Sequence, residues 1–260
     1  MTGVDFSDIA PVYPWRIPYF PRFFQEIASA ANLDEKSFVL DLACGTGELA
    51  VGIAAYCGEV LGIDKTAEML SSGRVLPANV RFLKADLNSS SESVSIPRPP
   101  ALVTIGRAIP YFDRSVVMPF LETVAGDQAR VLVCGAGFSD DVAWLPSYNE
   151  LCARYRKRIV AHTFGGREFF ANSRWKLTRT VRVRGALRRR PEDVYRNALS
   201  YPSLITQILA DQDRFVRQLN EILEPHQDAS GFITFEAQSW GTEYRCEPRA
   251  ARIDSALIDS

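Results

Sequence analysis

Apolar positions along the chain repeat with two periods. Compact strand-like runs occupy Phe38–Leu42, Val60–Ile63, Val80–Ala85, Ala101–Ile105 and Arg130–Cys134. Helical periodicity fills the gaps between them. Pro21–Ala31 places Phe23, Phe24, Ile27, Ala28 and Ala31 on one face, with Asn32 as a stop. Leu49, Ile53 and Cys57 recur at i, i+4, with Ala50 and Ala54 beside them and Gly58 as a C-cap. Two further helices are expected over about 66–76, capped by Thr66, and about 113–125. This alternation predicts a parallel, doubly wound α/β sheet.

Both ends depart from that pattern. Residues 1–18 combine Phe6, Tyr13 and Trp15 with Pro11, Pro14 and Pro18, an irregular arm too apolar to hang free. After residue 140 a helix is expected over 141–160, and Lys176–Arg184 alternates as a strand ending at Gly185. Ser203–Leu223 carries Leu204, Ile208, Phe215, Leu219 and Ile222 on one face of a long helix. Phe232–Glu236 and Thr242–Cys246 resemble an antiparallel closing hairpin. The polar run from Asn88, with prolines at 97, 99 and 100, reads as a loop, because strand–helix alternation resumes directly after it. The expected organisation is one domain over 1–260. It has an N-terminal lid (1–37), a core (38–140) and an acceptor-binding, sheet-closing part (141–260) with a helical cap inserted at about 186–228.

Composition narrows the function. A net charge of −1 speaks against a dedicated nucleic-acid binder. The basic residues are nonetheless concentrated: Leu151–Arg196 holds 14 Lys or Arg against 3 Asp or Glu. That excess fits an anionic small-molecule substrate held by arginine forks, a nucleic-acid face, or simply a solvated surface; small molecule ranks above nucleic acid. The cysteines at 44, 57, 134, 152 and 246 form no C-x-x-C pair, so reduced thiols in the cytoplasm are expected, without disulfides or a metal site. No run is apolar and long enough to span a bilayer, and the N-terminus lacks the features of a leader. The oligomeric state is left open.

The chemistry centres on Val39–Ala50, where a strand meets a tight turn containing Gly45 and Gly47 and then a helix. Such a turn lets a ligand approach the backbone where a Cβ would exclude it. Gly45-Thr-Gly47-Glu-Leu-Ala50 fits G-x-G-x-x-A, and Asp64 follows Gly45 by 19 positions, both features of a dinucleotide site and hence of an NAD-dependent oxidoreductase. The surrounding residues point elsewhere. Asp41-Leu-Ala-Cys-Gly-Thr-Gly47, Gly62-Ile-Asp64, Lys84-Ala-Asp86-Leu87 and Thr104-Ile-Gly106-Arg107 with Tyr111-Phe-Asp113-Arg114 stand in order over 38–134. Together they resemble the four motifs of class I S-adenosylmethionine-dependent methyltransferases, which have a Rossmann-like fold. The arm Phe6…Ala10…Tyr13…Arg16 resembles the lid of small-molecule members.

The resemblance implies S-adenosylmethionine as cofactor. It places Tyr13, Ala43, Gly45, Gly47 and Lys65 around it, with Asp64 on the ribose, and with the Asp86 side chain and the Leu87 N–H on adenine. Asp41 and the carbonyls near Ile105 and Gly106 would take the ammonium of the methionine end, and the glycine-turn N–H groups its carboxylate. The expected function is O- or N-methylation of a small organic acceptor. Arg107 and Tyr111 are expected to form the acceptor wall, and His162 to act as base for a hydroxyl acceptor. His226, after Pro225, reads as a solvated loop residue. A rival of another class is a cofactor-binding protein of the same fold that does not transfer methyl.

Overall fold

The computed structural model describes residues 6–71, 74–89, 94–125, 130–157 and 165–247. Seven strands form one sheet: β1 (Phe38–Leu42), β2 (Glu59–Asp64), β3 (Val80–Lys84), β4 (Leu102–Gly106), β5 (Arg130–Phe138), β6 (Trp175–Arg189) and β7 (Ile233–Cys246). Their order is β3-β2-β1-β4-β5-β7-β6. The first five run parallel, and β7 inserts antiparallel between β5 and β6. The chain winds outward from β1 through β3, then returns to β4 on the other side of β1. The switch point between β1 and β4 leaves a crevice at the carboxyl edge, where open α/β sheets hold their ligands.

Helices flank the sheet: α1 (Pro21–Ala31), α2 (Glu48–Ile53), α3 (Ala67–Leu70), α4 (Arg114–Ala125), α5 (Leu145–Tyr155) and α6 (Gly166–Phe169). Alternate residues of β1 serve opposite faces. Val39 joins Phe23, Ile27, Leu49 and Ile53 on one side, and Leu40 joins Val103, Val117, Leu121 and Phe169 on the other. Every residue of β1 is buried, which explains why its sequence is almost wholly apolar. Asn32 takes a left-handed conformation (φ 53°) and ends α1 as expected.

Between β6 and β7 lie three helices, α7 (Pro191–Leu199), α8 (Ile205–Ala210) and α9 (Gln212–Leu223). Their apolar faces share a core with α5 and with Ile233, Phe235 and Ala237 of β7. The long helix expected over Ser203–Leu223 is broken at Asp211 (φ −140°, ψ 46°), though the anticipated face stays inward. The helix over 66–76 is only the four residues of α3.

Two glycines within these long strands are points of close packing, and the first had been expected to end its strand. A Cβ on Gly185 would lie 2.8 Å from the Phe20 ring, so β6 continues beneath the arm to Arg189. A Cβ on Gly241 would lie 3.1 Å from Leu132, and Ile233–Cys246 is one strand rather than a two-stranded hairpin. The antiparallel closure is β6 against β7.

The basic segment is largely edge strand. Arg179 pairs with Glu243, Arg184 with Glu236 and Asp141, and Arg188 with Asp228, while Arg182 donates to Gln238. These arginines answer β7 and its surroundings. On an edge strand they also discourage further pairing.

Candidate active site

The glycine turn requires its unusual backbone. Ala43, Gly45 and Gly47 have φ of 51°, 57° and 77°. At Gly47 a Cβ would fall 2.3 Å from the Phe82 ring of β3, so glycine is required for space as well as torsion. Asp64, at the end of β2, clamps the turn: Oδ2 accepts the Gly45 N–H and Oδ1 the Thr66 N–H, both at 2.8 Å. Each oxygen keeps acceptor capacity. Asp86 follows β3 and accepts the Asn88 N–H at 3.0 Å. Asn88 then bridges two loops. Its Nδ2 donates to the Tyr111 carbonyl and its Oδ1 accepts the Asp113 N–H, each at 2.8 Å.

These strand ends border a crevice. Ala43, Gly45, Asp64 and Lys65 line one part of it, and Asp86, Leu87 and Gly106 another. Of the other residues expected from the sequence, Tyr13, Arg107 and Tyr111 also line it, joined by Phe6, Met69 and Phe112. Gly47 shapes the turn without lining the crevice.

Asp41 sits behind the crevice on a small hollow, which shares Tyr13, Ala43, Gly106 and Arg107 with it. The carboxyl is 1% exposed. Oδ1 accepts the Thr104 hydroxyl at 2.7 Å, and Oδ2 is buried with no hydrogen-bond partner among the described residues. Burial pushes its pKa up to about 7, with the Asp64 and Glu48 charges adding and the Thr104 hydroxyl and Ala50 N–H opposing.

The arm roofs the site. Ile9 and Ala10 pack on Met69 of α3, and the Ser7 hydroxyl donates to Glu68. Arg107 leaves β4 in a left-handed conformation (φ 58°) and turns its guanidinium toward the arm. It donates to Glu48 Oε2 at 3.2 Å and to the Ile17 carbonyl, and lies over the Tyr19 ring at 4.6 Å. Glu48 Oε1 accepts the Tyr19 N–H at 2.7 Å. The fork expected to hold an acceptor anion is thus engaged by the arm. Tyr111 meets the Phe6 ring edge-on at 4.9 Å, and burial raises its hydroxyl pKa. His162 lies outside the described residues.

Thr104, Glu48, Tyr19 and Asn88 were not anticipated as site residues. Thr104 stands opposite Asp41 through the β1–β4 register, which sequence periodicity does not set. Asn88 was legible only as part of a polar loop.

Residues 39–125 match the family model described as a methyltransferase domain. That stretch, about a third of the chain, is similar to a methyltransferase domain. YqeM of Bacillus subtilis, which has a methyltransferase name, is 56% identical over 60 residues, 22% of this chain and 24% of that protein. The uncharacterized methyltransferase C70.08c of Schizosaccharomyces pombe is 28% identical over 132 residues, 48% of this chain and 50% of its own. The chain thus spans half or less of these curated relatives. In fold, the chain resembles a protein of Anaeromyxobacter dehalogenans whose structure was solved under the name of a type II methyltransferase. The TM-score is 0.66 at 14% identity, covering 90% of this chain and 99% of that one. The family match favours the methyltransferase reading of the glycine turn over the dinucleotide one.

Proposed function

We propose that this protein transfers a methyl group from S-adenosylmethionine to oxygen or nitrogen of a small organic acceptor. The observation that carries this reading is the unpartnered Asp41 Oδ2, buried beside the glycine turn. A buried carboxylate oxygen calls for a cation, and the cofactor's ammonium is one. Asp64 would take the ribose hydroxyls with its remaining lone pairs, while Asp86 and the Leu87 N–H would hold the adenine.

The cofactor, when bound, supplies a methyl group already activated by the sulfonium. The chain's own work is positioning and exclusion of water. The arm performs the second task by packing Phe6 and Tyr13 over the crevice. Phe6, Tyr111 and Phe112 give the acceptor side an aromatic wall, which suits a small molecule with an apolar face. His162 is the proposed base if the acceptor is a hydroxyl. The pairing of the β6 arginines weighs against a nucleic-acid partner. All five cysteines are free, which fits the reducing cytoplasm.

The test is transfer of label from methyl-labelled S-adenosylmethionine to the small-molecule fraction of a cell extract. Labelled product supports the reading. Tight cofactor binding with no transfer to any fraction would favour the non-transferring alternative.

A further inference from the structure

Two arginines stand beside the crevice, and they differ in how their charge is met. Arg107 is neutralised by Glu48. Arg16, half-buried in the arm, pairs with no carboxylate among the described residues. Its Nη2 donates to the Ser200 carbonyl at 2.8 Å, and its Nε is buried with no hydrogen-bond partner among the described residues. Ser200 closes α7, and the partial negative charge of a helix C-terminus holds a cation without cancelling it. A charge partly withdrawn from water calls for an opposite one.

The surroundings narrow which anion fits. The Arg16 guanidinium lies 4.9 Å from the centre of the Tyr13 ring and 4.2 Å from that of Tyr201, so two aromatic faces fix its plane. Tyr13 lines the crevice, as does Tyr111. Burial raises the Tyr111 hydroxyl pKa and the Arg16 charge opposes it, so the field of the guanidinium reaches the crevice wall. Ile205 of α8 packs with Phe6, Val12 and Tyr13, which brings the α7–α8 region and the arm to the same opening. Phenol hydroxyls there can donate to an anion. One guanidinium balances one negative charge, which suits a carboxylate better than a phosphate monoester carrying nearly two.

We propose that the methyl acceptor is a small carboxylate and that Arg16, held between Tyr13 and Tyr201, is the residue that recognises its anionic group. The inference rests on the methyl-transfer reading above and deepens it by naming the acceptor class. It gives Arg16 the recognition expected of Arg107, whose guanidinium is occupied by Glu48 and the Ile17 carbonyl.

The test splits the small-molecule fraction of a cell extract by anion exchange into a retained and an unretained pool. Label transfer from methyl-labelled S-adenosylmethionine by the full chain is then measured for each pool before and after phosphatase treatment. Label should come from the retained pool and survive phosphatase. Arg16→Gln should raise the amount of that pool needed for half-maximal labelling about tenfold or more, the scale of a charged hydrogen bond. Its calorimetric affinity for S-adenosylhomocysteine should stay within about twofold of wild type. Arg16→Lys, which keeps the charge and loses the planar stack, should fall between the two. Label from the unretained pool, or label lost after phosphatase, would overturn the proposal. So would an Arg16→Gln chain that labels like wild type. Equal loss of S-adenosylhomocysteine affinity would also overturn it, by assigning Arg16 to the cofactor or to closure of the arm. If the wild-type chain binds S-adenosylhomocysteine and labels neither pool, the methyl-transfer reading itself fails, and this inference with it.

Discussion

Asp41→Asn should make the unliganded protein more stable and its ligand binding weaker. The folded carboxyl has a pKa of about 7 against an ordinary 3.8, so the folded state keeps a proton that the unfolded chain releases between those values. Stability therefore falls as pH rises through that window, and the whole penalty is present above pH 7. Three units at 1.36 kcal/mol each make that penalty roughly 4 kcal/mol at pH 8. Asparagine carries no charge and can still accept the Thr104 hydroxyl through Oδ1. Its amide NH₂ would replace the orphaned oxygen, at a cost of about 1–3 kcal/mol when unpaired. The net expectation is a gain of about 1–3 kcal/mol at pH 8 that turns into a loss of about 1–3 kcal/mol by about pH 4. S-adenosylhomocysteine, by contrast, should lose about 1.5–3 kcal/mol of affinity with its ammonium partner. Urea denaturation of the unliganded protein at both pH values, with calorimetry at pH 8, measures both effects. A folded variant less stable than wild type at pH 8, or one binding with unchanged affinity, would refute the reasoning.

Four further outcomes follow from the same structure. Wild-type S-adenosylhomocysteine affinity should fall about tenfold per pH unit below pH 7, because Asp41 must ionise to meet the ammonium, and calorimetry across pH 5–8 should show Asp41→Asn lacking that slope. Gly47→Ala should cost about 1–3 kcal/mol in a thermal melt, with Phe82→Ala recovering the steric part but not the torsional one. Glu243 is buried and held below the usual carboxylate range: burial raises its pKa, but hydrogen bonds from Arg245, Arg179 and Thr178 outweigh it. Glu243→Ala should therefore destabilise by about 3 kcal/mol, losing its effect as pH falls through the carboxylate range, with cofactor affinity unchanged. Arg107→Ala should raise hydrogen exchange and proteolysis at residues 6–19 while barely moving the global melting temperature, since it frees the Ile17 carbonyl and Glu48.

The parallel half of the sheet was legible because each strand is short, buried and bounded by turn residues. The ends of those strands are also where Gly45, Asp64, Asp86 and Gly106 stand, so most of the crevice followed from strand order. Local pattern failed where a residue answers a distant contact. Gly185 looks like a strand end, yet it makes room for Phe20, and the expected hairpin over 232–246 is one strand in which Gly241 makes room for Leu132. The arginines of β6 look like a docking face, yet their partners are carboxylates on β7 and neighbouring loops. Arg107 reads as a free fork on a loop. Its positive φ and its distance of 90 positions from Ile17 explain why the arm was not recognised as its partner.

The central claim is that the crevice is built for S-adenosylmethionine. Titration of the full chain with S-adenosylhomocysteine and, separately, with NAD tests it most directly. The account predicts saturable binding of S-adenosylhomocysteine and none of NAD. Binding of NAD with no response to S-adenosylhomocysteine would contradict it.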